Sequence, residues 1–285
     1  MTTAGFIGLG NIGGPMARRL LGNPDGLVVY DVVPEAATKL VAKGAVLAAD
    51  VADVAHRCDV VSVVVRDDDQ VREVATQLIA ASRPGLVIAI HSTIRATTAI
   101  ALAEVAAEHQ MSVVDAPISG GAMGAHQGTL AVMVGGEAEA VERCRPVFEQ
   151  WASLISHLGP VGAGTRAKLA RNLLHFVSFT ATGEAQRLAE AAGISLTELG
   201  NIVRHTDAIT GGAGAVMLRD ATGPIDPGDG LFGPFTNAAA LGHKDLAQAL
   251  ELADDLGVDT PLAALAYRRL AAELGVSDPI EGDQP

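Results

Sequence analysis

Between Ala4 and Gly159, short runs rich in Val and Ile alternate with stretches whose apolar residues recur at i, i+3 and i+4. The runs are AGFIGLG, LVVYD, DVVSVVV, LVIAIHST, SVVDAPIS, LAVMVGG and LISHLG. Between them lie NIGGPMARRLLG, EAATKLVAKG, DDQVREVATQLIAA and RATTAIALAEVAAEHQ. A strand that is apolar throughout has no solvent side and must be covered above and below. The alternation therefore predicts βαβ units and an α/β fold, a doubly wound parallel sheet with helices on both faces.

After Gly164 the strand-like runs stop. TRAKLARNLLHFVSFTATGEAQRLAEAAG reads as one long helix ended by Gly193, a length that implies burial along much of it. Helices follow at SLTELGNIVRHT, NAAALGHKDLAQALELADDLG and TPLAALAYRRLAAELG, the last with Thr260 as cap and Pro261 in its first position. The Gly- and Pro-rich stretch 211–235 reads as a loop or short helix with irregular flanks. A chain of 285 residues exceeds what one core usually holds. Two domains are expected, an α/β domain over 1–161 and an all-helical substrate and oligomerisation domain over 162–285, joined by the long helix.

The formal charge of −13 repels phosphate backbones and anionic membrane surfaces, and no Lys/Arg run interrupts it, so neither nucleic acid nor membrane is an expected partner. An anionic substrate would meet the same repulsion. Its site then needs a local group of cations or backbone N–H donors. Cys58 and Cys144 are far apart, without a CxxC or Cys/His spacing, and the eight histidines form no HxxxH pair, so no metal is expected. No apolar run reaches spanning length, and the chain is read as passing from Met1 into a strand without a signal segment. Cytoplasm is the expected compartment.

Gly8-Leu9-Gly10-Asn11-Ile12-Gly13 satisfies GxGxxG. In a chain with 32 glycines the pattern alone says little, but here it follows a strand, opens a helix and is answered by Asp31 at the end of the next strand. Gly8 would make the tight turn, Gly10 the close approach to a pyrophosphate, and Gly13 the helix–strand contact, with N–H groups of the helix start facing the phosphates. Asp31 would accept hydrogen bonds from the adenosine ribose and repel a 2′-phosphate. NAD is the expected cofactor.

Two later segments carry chemistry. Asp115-Ala116-Pro117-Ile118-Ser119-Gly120-Gly121 continues through Gly124-Ala125 and Gly128-Thr129 to MVGG, and Gly162-Ala163-Gly164-Thr165-Arg166-Ala167-Lys168 is followed by Asn172. Ser119, Gly120 and Gly121, free of bulk at the end of a strand, can offer N–H groups and a hydroxyl to a carboxylate, or simply form a flexible turn. Lys168 and Asn172, at i and i+4, share a helix face. By spacing alone such a lysine is more often a surface residue.

These segments resemble the β-hydroxyacid dehydrogenase family, which includes 3-hydroxyisobutyrate and tartronate semialdehyde reductase-type enzymes. The similarity runs from the glycine loop to Lys244-Asp245. The resemblance implies a 6-phosphogluconate dehydrogenase-like C-terminal domain, while the long apolar helix and an Ala/Leu-rich second half too small to bury its own faces predict a homodimer or homotetramer built largely through residues after 164. The resemblance also implies a small anionic hydroxy acid or semialdehyde substrate, held at its carboxylate by Ser119, Gly120 and Gly121. Lys168 would transfer the proton, and Asn172 would orient the substrate or hold the lysine. Lys244 would be a second cation near cofactor and substrate, with Asp245 beside it, and Thr93 would meet the nicotinamide side of the cofactor. Two loops depart from the family pattern: Arg66-Asp67-Asp68-Asp69 where a Met-Leu-Pro type loop is common, and Ile94-Arg95 where a proline is common. Arg66 and Arg95 could read an anionic substrate or form surface ion pairs. An imine reductase, which usually carries another proton donor in place of Lys168, and a non-catalytic NAD-binding module are the rival readings.

Overall fold

The computed structural model describes residues 3–81 and 84–277. Nine strands and eleven α-helices are found among them. The expected start of the chain at Met1 lies outside the described residues.

Six strands form one parallel sheet: β1 (Ala4–Ile7), β2 (Leu27–Tyr30), β3 (Val46–Leu47), β4 (Val60–Val63), β5 (Val87–Ile90) and β6 (Ser112–Asp115), in the order β3-β2-β1-β4-β5-β6. The order reverses between β1 and β4. Loops that leave the sheet there diverge, and the crevice they open is where such sheets bind ligands. The register places Tyr30, Ile7, Val63, Ile90 and Asp115 side by side across the sheet. All the loops that carry candidate residues in this half therefore start at one level.

Helices α1 (Gly13–Arg19), α2 (Thr38–Val41), α3 (Val51–Arg57), α4 (Asp68–Ala81), α5 (Ala96–Glu108), α6 (Gly121–Gln127) and α7 (Ala138–Phe148) connect the strands of this half. Alternate strand residues face opposite cores. Phe6, Val29, Val87 and Val114 pack with Met16 of α1 and Phe148 of α7, whereas Ile7, Val28, Ile88 and Val113 pack with Val54, Leu78 and Leu102 of α3, α4 and α5. Both faces are apolar because both are covered, and each fully buried Val, Ile or Phe contributes about 1.5–3 kcal/mol.

Two of the expected strand runs, LAVMVGG and LISHLG, and the end of a third, SVVDAPIS, however, do not join this sheet. β7 (Ile118–Ser119), β8 (Leu130–Val134) and β9 (Ala152–His157) form a separate small sheet, antiparallel between β7 and β8 and parallel between β8 and β9. Pro117 lies between β6 and β7, and period and propensity do not reveal which strands pair. EAATKLVAKG, expected as a helix, is a 3-10 turn at Pro34–Ala37 followed by the single turn of α2.

His91 illustrates how the parallel core tolerates polarity. It is 2% exposed, with Nδ1 2.8 Å from the Ala116 carbonyl oxygen and Nε2 3.1 Å from Ser62 Oγ, and its edge meets Phe148 and Trp151. A carbonyl only accepts, so Nδ1 carries the hydrogen and Nε2 accepts from Ser62. Burial pushes the imidazole down to about 4, which keeps it neutral near neutral pH.

The chain divides into two compact units, 1–172 and 173–285, and the division falls inside the 29-residue helix α8 (Ala163–Ala191). In the second unit follow α9 (Leu196–Thr210), α10 (Phe232–Asp255) and α11 (Pro261–Leu274). Helix α10 begins five residues before the expected Asn237, with Pro234 in its first turn, where the missing N–H costs nothing. Thr260 stands at the N-cap of α11 but its side chain makes no capping bond. Glu184 of α8, 5% exposed, caps that helix instead, accepting from Leu262 N at 2.8 Å and Ala263 N at 3.0 Å. A carboxylate at a helix N-terminus answers both the orphan donors and the dipole.

Candidate functional site

A cleft of about 500 Å3 opens at the carboxyl ends of β1, β2 and β4. Gly8, Gly10, Asn11, Ile12, Gly13 and Asp31 all line it, together with Tyr30, Val32, Val64, Val65 and Arg66. The glycines have different reasons to be there. Gly8 has φ +92°, and a Cβ on it would stand 2.2 Å from the Val64 carbonyl oxygen; one on Gly13 would stand 2.0 Å from that of Gly8. The turn and the packing of α1 require those two. Gly10 is different: its φ is not positive, and a Cβ there would meet no atom within 4 Å. The fold leaves room for a side chain at Gly10, so its bare backbone is open to whatever enters the cleft. A pyrophosphate fits that open face.

Asp31 is fixed by the same loop. One carboxylate oxygen accepts from Leu9 N at 2.6 Å and the other from Val33 N at 2.8 Å. Each retains a lone pair for a ribose hydroxyl. Arg66 is the sole cation among the residues lining the cleft, and its Nε already pairs with Asp67 at 3.2 Å. Val32 and Val33 extend past Asp31 at 83% and 54% exposure, with no charge to receive a 2′-phosphate.

The two loops that depart from the family pattern are fastened to each other. Ser92 Oγ donates to the Val65 carbonyl and accepts from Val65 N at 3.1 Å. Asp68 accepts from Arg95 N at 3.1 Å and from the Thr98 hydroxyl, which in turn accepts from Arg72 at 2.8 Å. Exposed Thr93 is thereby held on a loop tied to the one that lines the cleft.

Ser119, Gly120 and Gly121 stand where β7 passes into α6. Gly120 and Gly121 have φ of +125° and +63°, which turn successive N–H groups in a way that β-carbons would resist. Lys168 sits in the second turn of α8, only 8% exposed, and among the described residues it has no hydrogen-bond or ion-pair partner. Burial, followed by the neighbouring Arg171 cation, lowers its pKa from the ordinary lysine value. Asn172, half-buried one turn on, accepts from Arg171 at 3.3 Å. Lys244 and Asp245 lie on α10 in the second unit, where Lys244 Nζ pairs with Asp245 at 3.0 Å.

One residue at this site went unassigned in the sequence reading. Asp115, at the end of β6, is fully buried, and its carboxylate accepts from Gly162 N at 2.7 Å and Thr165 N at 2.6 Å, capping the first turn of α8. Burial raises its pKa, opposed by these N–H donors. The signal was a lone acid opening the DAPISGG run, ahead of bulkless residues; its partners lie some 50 residues away.

Residues 3–159 match the NAD-binding domain of 6-phosphogluconate dehydrogenase, and residues 162–278 match the NAD-binding model of NADP-dependent 3-hydroxyisobutyrate dehydrogenase. A crystal structure of an oxidoreductase from Mycobacterium avium 104 is 52% identical with a TM-score of 0.94, covering 97% of this chain and 99% of its own. The NAD-dependent L-serine dehydrogenase of Pseudomonas aeruginosa is 37% identical over 95% of this chain and 92% of its own length. The structure of Mycobacterium tuberculosis 3-hydroxyisobutyrate dehydrogenase with L-serine is 33% identical, with a TM-score of 0.68 and coverage of 97% and 96%.

Proposed function

Because the chain belongs to the 3-hydroxyisobutyrate dehydrogenase family of NAD-dependent oxidoreductases, we propose that it oxidises or forms a small anionic β-hydroxy acid with Lys168 as the proton-transferring group. The burial of Lys168 carries this reading. An exposed lysine stays charged and is a poor base, whereas desolvation moves the amine toward the neutral form that can accept a proton. In oxidation Nζ takes the hydroxyl proton; in reduction the ammonium returns it. NAD, when bound, supplies the hydride acceptor for the hydroxyl-bearing carbon.

The hydroxyl of Ser119 and the N–H groups of Gly120 and Gly121 hold the substrate carboxylate. They supply the local donors that a chain of net charge −13 needs to keep an anion. Asn172 orients the substrate, Lys244 adds a second cation with Asp245 beside it, and Thr93 contacts the nicotinamide side. Residues 162–285 form the substrate and oligomerisation domain. Relatives named for 3-hydroxyisobutyrate and L-serine make these the first probes. Tartronate, succinic and sulfolactaldehyde-type semialdehydes serve in the reductive direction.

NADH absorbance should reveal turnover with at least one of serine, 3-hydroxyisobutyrate, 3-hydroxypropionate or glycerate, or with one of the semialdehydes. Inactivity toward all of them would sink this substrate class. In the same assay kcat/KM should favour NAD over NADP by at least about tenfold, roughly 1.4 kcal/mol, from the fixed carboxylate of Asp31 and the occupied Arg66. Equal use of both cofactors would contradict the role given to Asp31.

The chain is also proposed to form a homodimer or homotetramer. Leu173, Phe176, Val177 and Phe179 of α8 are each at least half exposed, and α9 buries none of its residues. Light scattering at micromolar concentration should give at least twice the mass of one chain, consistent with more than about 1,000 Å2 of buried surface. A monomer there would refute it.

A further inference from the structure

Asp115 joins the two ends of the proposed substrate site. Its carboxylate holds Gly162 N and Thr165 N, the latter one helical turn before Lys168. Four residues along the chain in the other direction lies Ser119. The main chain of Asp115 exchanges two hydrogen bonds with Gly135, N to O at 3.0 Å and O to N at 2.8 Å, at the end of β8, and β8 in turn pairs with β7 through Ile118↔Val132 and Ser119↔Ala131. The joint has no slack. A Cβ on Gly135 would stand 2.4 Å from Asp115 Oδ1, and one on Gly164 would stand 2.3 Å from the Met133 carbonyl oxygen and 2.5 Å from that of Asp115. Asp115 itself makes no ion pair with Lys168 among the described residues. It acts on the lysine only through the backbone that carries it.

We propose that Asp115 is a positioning residue that sets the spacing between the carboxylate-holding loop at Ser119–Gly121 and Lys168, and so selects how many carbons separate carboxylate and hydroxyl in the substrate. The proposal rests on the substrate reading above. Carboxylate and hydroxyl-bearing carbon are adjacent in a 2-hydroxy acid, one carbon further apart in a 3-hydroxy acid and two in a 4-hydroxy acid, a step of about 1.0–1.4 Å each along an extended chain. A misplacement of about 1 Å already costs on the order of 10²-fold in rate, so a site rigid on that scale discriminates chain length and a loosened one does not. Asp115 and its partners, with Ser119 and Lys168, all lie within the first compact unit, so this spacing belongs to one body.

The test uses Asp115→Asn in the full chain, which keeps shape but replaces one acceptor oxygen by an amide that cannot accept from an N–H. kcat/KM is measured for lactate, 3-hydroxypropionate and 4-hydroxybutyrate, with NADH affinity and thermal melting followed in parallel. The wild-type preference for 3-hydroxypropionate is expected to fall by tenfold or more while NADH affinity stays within about twofold. A smaller fall in the preference ratio overturns the proposal, whatever happens to absolute activity. If the asparagine variant does not fold, Asp115→Ser is read by the same threshold. Lys168→Ala in the same assay keeps the two readings apart. Near-normal turnover there overturns the proton-transfer assignment, whereas an unchanged ratio in Asp115→Asn beside an inactive Lys168→Ala overturns only the role of Asp115.

Discussion

Lys168→Ala is expected to lose on the order of 10² to 10⁴ in turnover while binding NAD almost normally, the range for removing a positioned acid or base. Cofactor affinity survives because the residues lining the dinucleotide cleft, Gly8, Gly10, Gly13 and Asp31 among them, do not include this lysine. Lys168→Arg should be nearly as damaging, since a guanidinium stays charged and cannot exchange the proton. The wild-type pH profile carries the sign of the mechanism. Oxidation needs the neutral amine, so kcat/KM should rise with pH through a limb below the ordinary lysine value, because burial and Arg171 both favour the neutral form. In Lys168→Ala that limb should vanish. Lys244→Ala should act mainly through KM, as a binding cation would. Should Lys168→Ala keep more than about a tenth of wild-type kcat with normal NAD affinity, another group or a water moves the proton.

Gly10→Val is expected to weaken NAD binding by on the order of 10²-fold, about 2.7 kcal/mol, without lowering the melting temperature of the free protein. The two effects separate because a β-carbon at Gly10 would have no atom within 4 Å among the described residues, so the added side chain enters the open face proposed for the pyrophosphate. Gly13→Ala provides the contrast. Its Cβ would press on the Gly8 carbonyl oxygen, so melting should fall along with binding. Isothermal titration of NAD together with thermal melting distinguishes them; a Gly10→Val chain that binds NAD within about threefold of wild type would show that the open face is not where the diphosphate lies.

The parallel sheet, the glycine loop with Asp31, and the helical second half were legible in the sequence because each depends on local pattern. Apolar strands such as VVSV and VIAI announce double coverage. Gly8 and Gly13 mark backbone that tolerates no β-carbon, and Gly193 and Gly275 end their helices in the left-handed conformation. The lysine's candidacy was legible only through resemblance, since spacing places Lys168 on a helix face without saying that the face is buried.

Long-range partners stayed hidden. The small sheet of β7, β8 and β9 separates from the main one because Ile118 and Ser119 find β8 rather than a neighbour in the large sheet. Glu184, rather than Thr260 at the helix start, caps α11 across some 78 residues, and Asp115 caps α8 across some 50. Local sequence determined which segments become strands, helices and tight turns, because φ/ψ preference and apolar period act over a few residues. Only the tertiary structure decided which buried carboxylate meets which helix start and how deeply Lys168 is desolvated, because a hydrogen bond or a burial cost is set by whatever atoms the completed fold brings within a few ångströms.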